Sequence, residues 1–121
     1  MTVEKRGQKY HRERLGEALR EEVETIVEGE LGDPRIGLVS VSSVVLAEDS
    51  RSARIFVVVD GDETEAQRSL EGLTAAVGFI RVALAERLHL RRPPELYFQL
   101  DRSQTYGARI DELLNRNRKR K

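Results

Sequence analysis

The chain of 121 residues contains no cysteine and no tryptophan, one methionine and three prolines. Without cysteine, the protein has no disulfide bond, no thiolate zinc site and no cysteine nucleophile. Aromatic residues make up only 5% of the sequence, which argues against a sheet surface that stacks successive bases, as an RNA-recognition motif does. No run of about 18 apolar residues occurs either, so the sequence predicts no transmembrane helix.

Signals for export and for catalysis are also missing. The segment "MTVEKRGQKYHRER" lacks the apolar core of a signal peptide, and Glu4 and Glu13 argue against a transit peptide. His11 and His89 lie far apart and lack the spacing of metal ligands. The sequence contains no nucleophile elbow, phosphate-binding loop or dinucleotide fingerprint. We therefore expect a cytoplasmic protein that is not an enzyme and holds no metal or cofactor.

The charges cancel overall, with 21 basic and 21 acidic residues, but they are unevenly distributed. Residues 1–20, 76–108 and 109–121 are predominantly basic, whereas residues 21–75 hold thirteen acidic groups and four basic ones. Such a distribution allows a polyanion to bind one face of the molecule. The alternative is that the charged runs are solvated helix faces, and the charge pattern leaves both open.

The first half of the sequence predicts a helix followed by two strands. Apolar residues recur at steps of three and four, at Leu15, Leu19, Val23, Ile26, Val27 and Leu31, and Gly29 and Gly32 are expected to end this helix. "GLVSVSSVVLAED" and "ARIFVVVD" then have the composition and alternation of strands, and "EDSRS" reverses the chain between them. We expect these two strands to pair antiparallel.

The second half predicts two helices and a third strand. An apolar stripe from Ala66 to Leu88 is long for one helix in so small a domain. Gly78 lies near its middle, where glycine costs about 0.5–1 kcal/mol relative to alanine, so we expect the stripe to divide there. "ELYFQLD" follows Pro93-Pro94 as a strand. The order α-β-β-α-α-β predicts an α+β domain, with three strands covered by helices on one face.

In KH domains, nucleic acid is held by a G-x-x-G loop between two helices. "GELG" at residues 29–32 matches that pattern, but it lies between a helix and a strand, so we interpret it as a helix end. The expected position of the loop holds Ala76-Val77-Gly78 instead. Gly78 either leaves the backbone open to a nucleic acid or serves the packing of helices, and the sequence favours neither.

Five segments at similar spacing carry a resemblance to one family: "RLGEALREEV", "DPRIGLVSV", "AVGFIR", "LRRPPELYFQLD" and "YGARIDELL". The chain resembles ribosome-binding factor A over nearly its whole length. The resemblance implies a KH type II-like fold in which the Ala76-Val77-Gly78 kink replaces the G-x-x-G loop. It also implies a bacterial, non-enzymatic assembly factor that binds the small (30S) ribosomal subunit and its 16S ribosomal RNA. Such a factor assists late maturation and processing of the RNA and often supports growth in the cold.

We predict RNA contacts at the kink and at basic side chains: Ala76, Val77, Gly78, Arg81, Arg87, Arg91, Arg92, Arg12, Arg14, Arg116, Arg118, Lys119 and Arg120. Arginine binds phosphate through two parallel hydrogen bonds and stacks on bases. Arg91 and Arg92 have the alternative role of complementing a helix dipole. If about five phosphates are neutralised, the logarithm of the binding constant falls with that of the salt concentration at a slope of roughly −3.5 to −4.5.

We expect residues 1–108 to form the RNA-binding domain, and residues 109–121 a short helix and a basic tail. The protein is expected to act as a monomer, with other assembly factors as further partners. Two alternatives stay open. One is a protein-interaction module that recruits its partner through the acidic middle of the chain. The other is a general RNA-binding protein without specificity for the small subunit.

Overall fold

A computed structural model describes residues 6–103 of the chain, with side chains for residues 11–103. The elements follow in the order α1 (Arg6–Gly29), β1 (Val39–Leu46), β2 (Ser52–Val59), α2 (Glu63–Ala75), α3 (Val77–Arg87) and β3 (Glu95–Leu100). The predicted order α-β-β-α-α-β is confirmed. The short helix predicted within residues 109–121 lies outside the described residues.

The three strands form one sheet with β2 in the centre. β1 and β2 pair antiparallel, as predicted, whereas β2 and β3 are parallel because α2 and α3 carry the chain back to the end at which β2 begins. The register aligns Leu46, Ala53 and Leu96 in one row across the sheet. We call this the lower end of the sheet; β1 ends there, and β2 and β3 begin.

All three helices cover one face of the sheet, and their inward side chains form a single core. The largest fully buried apolar side chains are Leu19, Val23 and Ile26 of α1, Ile55 and Val57 of β2, and Leu73, Ile80 and Leu84 of α2 and α3. Burial stabilises the fold by about 1.5–3 kcal/mol for each large side chain. On the opposite face Val45, Arg54 and Tyr97 form an exposed row. The predicted α+β arrangement with helices on one face is confirmed.

The segment between α1 and β1 is fixed against α2. Asp33 accepts hydrogen bonds from the Arg35 backbone N–H at 2.9 Å and from the Arg35 guanidinium, with Nη2 at 2.6 Å from Oδ2. Ser69 of α2 accepts a hydrogen bond from the Gly37 N–H at 3.0 Å. A Cβ on Gly72 would lie 2.6 Å from Cγ1 of Ile36, so α2 requires glycine at this point of contact. "DPRI" is therefore a structural turn that packs on a glycine of α2.

Candidate nucleic-acid interface

The chain passes from α2 to α3 at Ala76. Its backbone has φ −87° and ψ −1°, and its N–H is shared between the carbonyls of Gly72 and Leu73 at 3.1 Å each. The Ile80 N–H then donates to the Ala76 carbonyl at 3.0 Å, which begins α3. The sequence predicted the division at Gly78. It lies two residues earlier, because the shared hydrogen bond tightens and ends the last turn of α2.

Gly78 is exposed in the first turn of α3. A Cβ built on Gly78 would have no neighbour within 4 Å in the described part of the chain, and the φ of Gly78 lies outside the left-handed region. Packing among residues 6–103 therefore does not explain a glycine here. Ala76 and Val77 are partly buried against the core, so Gly78 is the most exposed member of the kink.

α3 is apolar on its outer side as well as on its inner side. Ile80 and Leu84 are fully buried, yet Phe79 is 56% exposed and Val82 is 60% exposed. Val82 follows Gly78 by four residues, so the two share one side of the helix, and Phe79 borders them. We call Gly78, Phe79 and Val82 the outward face of α3. A helix that is apolar on both sides is typical of one that is covered on both sides.

Phe79 and Val82 are not among the contacts predicted from the sequence. The signal was available in "VGFIRVALAER", because these two apolar residues fall outside the Ile80–Leu84 stripe. An apolar residue outside the inward stripe of an amphipathic helix indicates a second contact surface.

His89, two residues after the end of α3, adopts the left-handed conformation, with φ 54°. The Leu90 N–H donates to the Ala85 carbonyl at 2.9 Å, so the chain turns sharply away from the helix axis. Residues 88–94 form the loop that leads to β3 at the lower end of the sheet. We call it the α3–β3 loop. His89 is exposed, as expected of a surface histidine.

Arg91 and Arg92 lie in the α3–β3 loop, and both are exposed. Within the described part of the chain, neither side chain has a hydrogen bond or an ion pair. The helix-dipole alternative does not account for them: the basic residue in the last turn of α3 is Arg87, and the dipole effect falls off within that turn. Both charges are therefore available to an anion from outside the chain.

Arg81 points to the same loop. Its Nε donates to the Pro94 carbonyl at 3.0 Å and its Nη2 to the Pro93 carbonyl at 2.9 Å. The Glu95 carboxylate lies 3.7 Å from Nη2. The guanidinium that the sequence predicted as an RNA contact is thus bound within the described chain, although the RNA contact itself stays a prediction.

Arg87 joins α3 to α1. Its guanidinium donates to Glu30 at 2.8 and 2.5 Å and to Glu22 at 3.4 Å. The hydrogen bonds that Arg87 donates to Glu30 raise the pKa of Arg87 above its usual value and lower the pKa of Glu30. Two carboxylates balance this charge, which leaves Arg87 with less attraction for phosphate than Arg91 or Arg92.

The remaining predicted contacts lie elsewhere. Arg12 and Arg14 are on the first half of α1, and Arg12 lines a groove beside Val44, Val45 and Leu46. Leu46 belongs to the row at the lower end of the sheet, so Arg12 and the α3–β3 loop approach that end from opposite edges. Four further predicted contacts lie outside the described residues: Arg116, Arg118, Lys119 and Arg120.

The acidic residues that line a cavity of about 460 Å³ beside the start of α2 all have structural partners. Asp62 caps α2 by accepting the Glu65 N–H at 2.8 Å, at the spacing of a capping box. Glu63 accepts hydrogen bonds from Arg102, and Asp101 accepts them from Ser42 and Ser103.

Neither a metal centre nor a membrane span occurs in the described part of the chain. No cluster of histidine and acidic side chains there has the arrangement of a metal site. No helix within residues 6–103 is long and apolar enough to cross a membrane.

Comparison with known proteins identifies the family. The family model of ribosome-binding factor A matches residues 11–114. The ribosome-binding factor A of Koribacter versatilis (strain Ellin345) is 58% identical over 119 residues, which is 98% of this chain and 97% of that protein.

One crystal structure and one model fitted into an experimental map are similar in fold and sequence. The crystal structure of ribosome-binding factor A from Thermus thermophilus has a TM-score of 0.59 at 31% identity, over 80% of this chain and 98% of that one. A homology model of the T. thermophilus protein, fitted into the cryo-electron-microscopy map of a 30S–RbfA complex, has a TM-score of 0.56 at 33% identity, over 76% and 92% of the two chains. The chain thus belongs to the ribosome-binding factor A family.

Proposed function

We propose that this protein binds the small ribosomal subunit at its 16S ribosomal RNA and assists late maturation and processing of that RNA, without catalysing a reaction itself. The observation that carries the proposal is the 33% identity to the T. thermophilus chain fitted as part of a 30S complex. In this proposal the protein is a bacterial, cytoplasmic monomer that acts together with other assembly factors and supports growth in the cold.

The proposed RNA-binding surface combines the outward face of α3 with the α3–β3 loop. Gly78 leaves room for a sugar–phosphate backbone to approach α3, because no side chain of the described residues covers it. Phe79 offers an exposed ring for an unpaired base, and stacking of this kind contributes about 1–3 kcal/mol per base. Arg91 and Arg92 supply charge for phosphates, since no described acid neutralises them.

Other parts of the chain extend this surface. Arg12 and Arg14 of α1 and the basic residues of the segment 109–121 add attraction that does not depend on sequence. We propose that residues 1–108 form the RNA-binding domain and that residues 109–121 form a basic extension of it.

The test is co-sedimentation with isolated small subunits, isolated large subunits and joined ribosomes across a series of salt concentrations. We expect selective binding to small subunits that weakens as salt rises. The double substitution Arg91→Glu/Arg92→Glu should weaken this binding without lowering the thermal unfolding temperature, because both side chains are exposed and unpaired among the described residues. Equal binding to all three particles, or a flat response to salt, would contradict the proposal.

A second candidate function is recruitment of a protein partner, and the exposed Phe79 and Val82 favour it because apolar patches of this kind also occur at protein interfaces. It predicts that small-subunit components stay bound to the protein after nuclease treatment. Loss of all binding on nuclease treatment would exclude it.

A further inference from the structure

We propose that Arg81 is a positioning residue, which holds the α3–β3 loop in the shape that presents Arg91 and Arg92 and does not itself contact RNA. The inference rests on the proposed function, because it concerns how the proposed RNA-binding surface is built. It assigns to Arg81 a role different from the direct contact that the sequence predicted.

The Arg81 guanidinium binds two consecutive residues of the α3–β3 loop at once. Two nitrogens of one planar guanidinium donate to consecutive carbonyls, those of Pro93 at 2.9 Å and of Pro94 at 3.0 Å. A guanidinium presents its donors in a rigid fork, so both bonds fix the loop relative to α3 at once. The Arg81 side chain is 32% exposed, which leaves most of it packed between α3 and the loop.

Few other hydrogen bonds hold the loop between its two ends. The Leu90 N–H is bonded to the Ala85 carbonyl, and the Glu95 N–H to the Arg51 carbonyl, each at 2.9 Å. Pro93 and Pro94 have no N–H to donate. For the four residues between Leu90 and Glu95, the bonds from Arg81 are the only hydrogen bonds that link them to the rest of the described chain.

Arg81 is also a poor phosphate ligand in this arrangement. Its donors are directed at two carbonyl dipoles, and the Glu95 carboxylate lies 3.7 Å from Nη2. To bind phosphate through Nε and Nη2, the pair of donors used here, it would have to give up those bonds and release the loop. Within the described chain, Arg91 and Arg92 have no such bonds to give up. Arg81 therefore orders the loop, and Arg91 and Arg92 bind the anion.

The experiment compares Arg81→Gln and Arg81→Lys in two backgrounds, the otherwise unchanged protein and an Arg91→Ala/Arg92→Ala variant. Binding to isolated small subunits is measured by co-sedimentation at one salt concentration. Order parameters of the backbone amides of residues 91 and 92 are measured by NMR on the free protein. Arg68→Gln, at an exposed arginine of α2 without a hydrogen bond or ion pair among the described residues, is the matched control. Thermal unfolding verifies that each variant is folded.

We expect both Arg81 variants to weaken binding about tenfold in the unchanged protein, the scale of a lost charge-assisted hydrogen bond. In the Arg91→Ala/Arg92→Ala background they should change it less than about twofold, because effects that act through the same residues do not add. Lysine should not rescue, since a single ammonium does not reproduce the fork. The amide order parameters should fall from about 0.85 towards 0.6 or below, and Arg68→Gln should leave them unchanged.

Unchanged order parameters in Arg81→Gln would overturn the proposal, whatever the binding data. Full rescue by lysine, or an equal loss of affinity in both backgrounds, would also overturn it and indicate a direct phosphate contact. A failure of the proposed function would give other results. The unchanged protein would not bind small subunits selectively, or the Arg91→Ala/Arg92→Ala variant would bind small subunits as tightly as the unchanged protein. The order parameters are measured without RNA and still decide whether Arg81 orders the loop.

Discussion

Replacing Gly78 by alanine separates folding from binding at the kink. The residue is exposed in a helix, its φ is not left-handed, and an added Cβ meets no atom of the described residues within 4 Å. Alanine also reduces the freedom of the unfolded chain, so Gly78→Ala should stabilise the protein by about 0.5–1 kcal/mol. For a domain of this size, that raises the thermal unfolding temperature by about 2–6 °C.

Gly72 provides the matched control, because it is a glycine of α2 only six residues away. There a Cβ would lie 2.6 Å from Cγ1 and 3.3 Å from Cδ1 of Ile36, and 3.4 Å from the Cβ of Arg35. Overpacking of this kind costs about 1–3 kcal/mol, because the turn that carries Ile36 must move. The same substitution six residues apart is therefore expected to change stability in opposite directions.

The affinity for small subunits should fall in the stabilised variant, Gly78→Ala, and not in the destabilised one, Gly72→Ala. If RNA approaches the open backbone of α3, the methyl group of Gly78→Ala occupies that space, and affinity for small subunits should fall by about fivefold or more, equivalent to roughly 1 kcal/mol. Gly72→Ala should keep its affinity at temperatures at which it is folded. The measurements are thermal unfolding followed by circular dichroism and co-sedimentation with small subunits. A less stable Gly78→Ala would refute the structural argument, and a more stable one with unchanged affinity would refute the close approach of RNA.

Three further predictions concern the surroundings of the site. Arg87→Ala and Glu30→Ala should each lower the unfolding temperature, and the double variant should be little worse than either, because both remove the same α3–α1 contact. His89→Gly should raise stability by about 0.5–1 kcal/mol in urea unfolding, since glycine adopts φ 54° without strain; a loss would show that the imidazole has a further role. The hydrogen bonds from Arg35 lower the pKa of Asp33 to about 2, so their contribution to stability is complete above pH 4 and is lost as the pH falls through 2. Asp33→Asn should reduce that acid-dependent loss in urea unfolding measured from pH 5 to pH 2, and an unchanged profile would contradict it.

Most of the fold could be predicted because short-range patterns determine it. Leu96 and Phe98 are buried and Tyr97 is exposed, as alternation along a strand requires. The stripe of α1 needs only the helical period, and Gly29 ends it. The exception is the division between α2 and α3. The sequence assigned it to the residue with the lowest helix propensity, Gly78, whereas a shared hydrogen bond at Ala76 ends the helix, and propensity does not encode that bond.

The site was less predictable, because its arginines differ in what they touch. Arg87 and Glu30 are 57 residues apart in sequence, and the two carbonyls bound to Arg81 lie 12 and 13 residues from it. No local pattern distinguishes an arginine that will meet a carboxylate from one that will face solvent. Charge along the chain therefore predicted an RNA contact for Arg81, Arg87, Arg91 and Arg92 alike, without separating those that have partners in the fold from those that face solvent.

The salt dependence of binding makes that difference measurable. Five equivalent phosphate contacts would give a slope of roughly −3.5 to −4.5, and two contacts account for about 1.4–1.8 of its magnitude. Among the described arginines of the α3 region, Arg91 and Arg92 have no acid partner, whereas Arg87 has two. Arg91→Ala/Arg92→Ala should therefore reduce the slope by about 1.4–1.8, whereas Arg87→Ala should leave it unchanged. A reduction of about 0.8 in Arg87→Ala would mean that Arg87 leaves Glu30 for a phosphate on binding, and the ion pair would then belong only to the free protein.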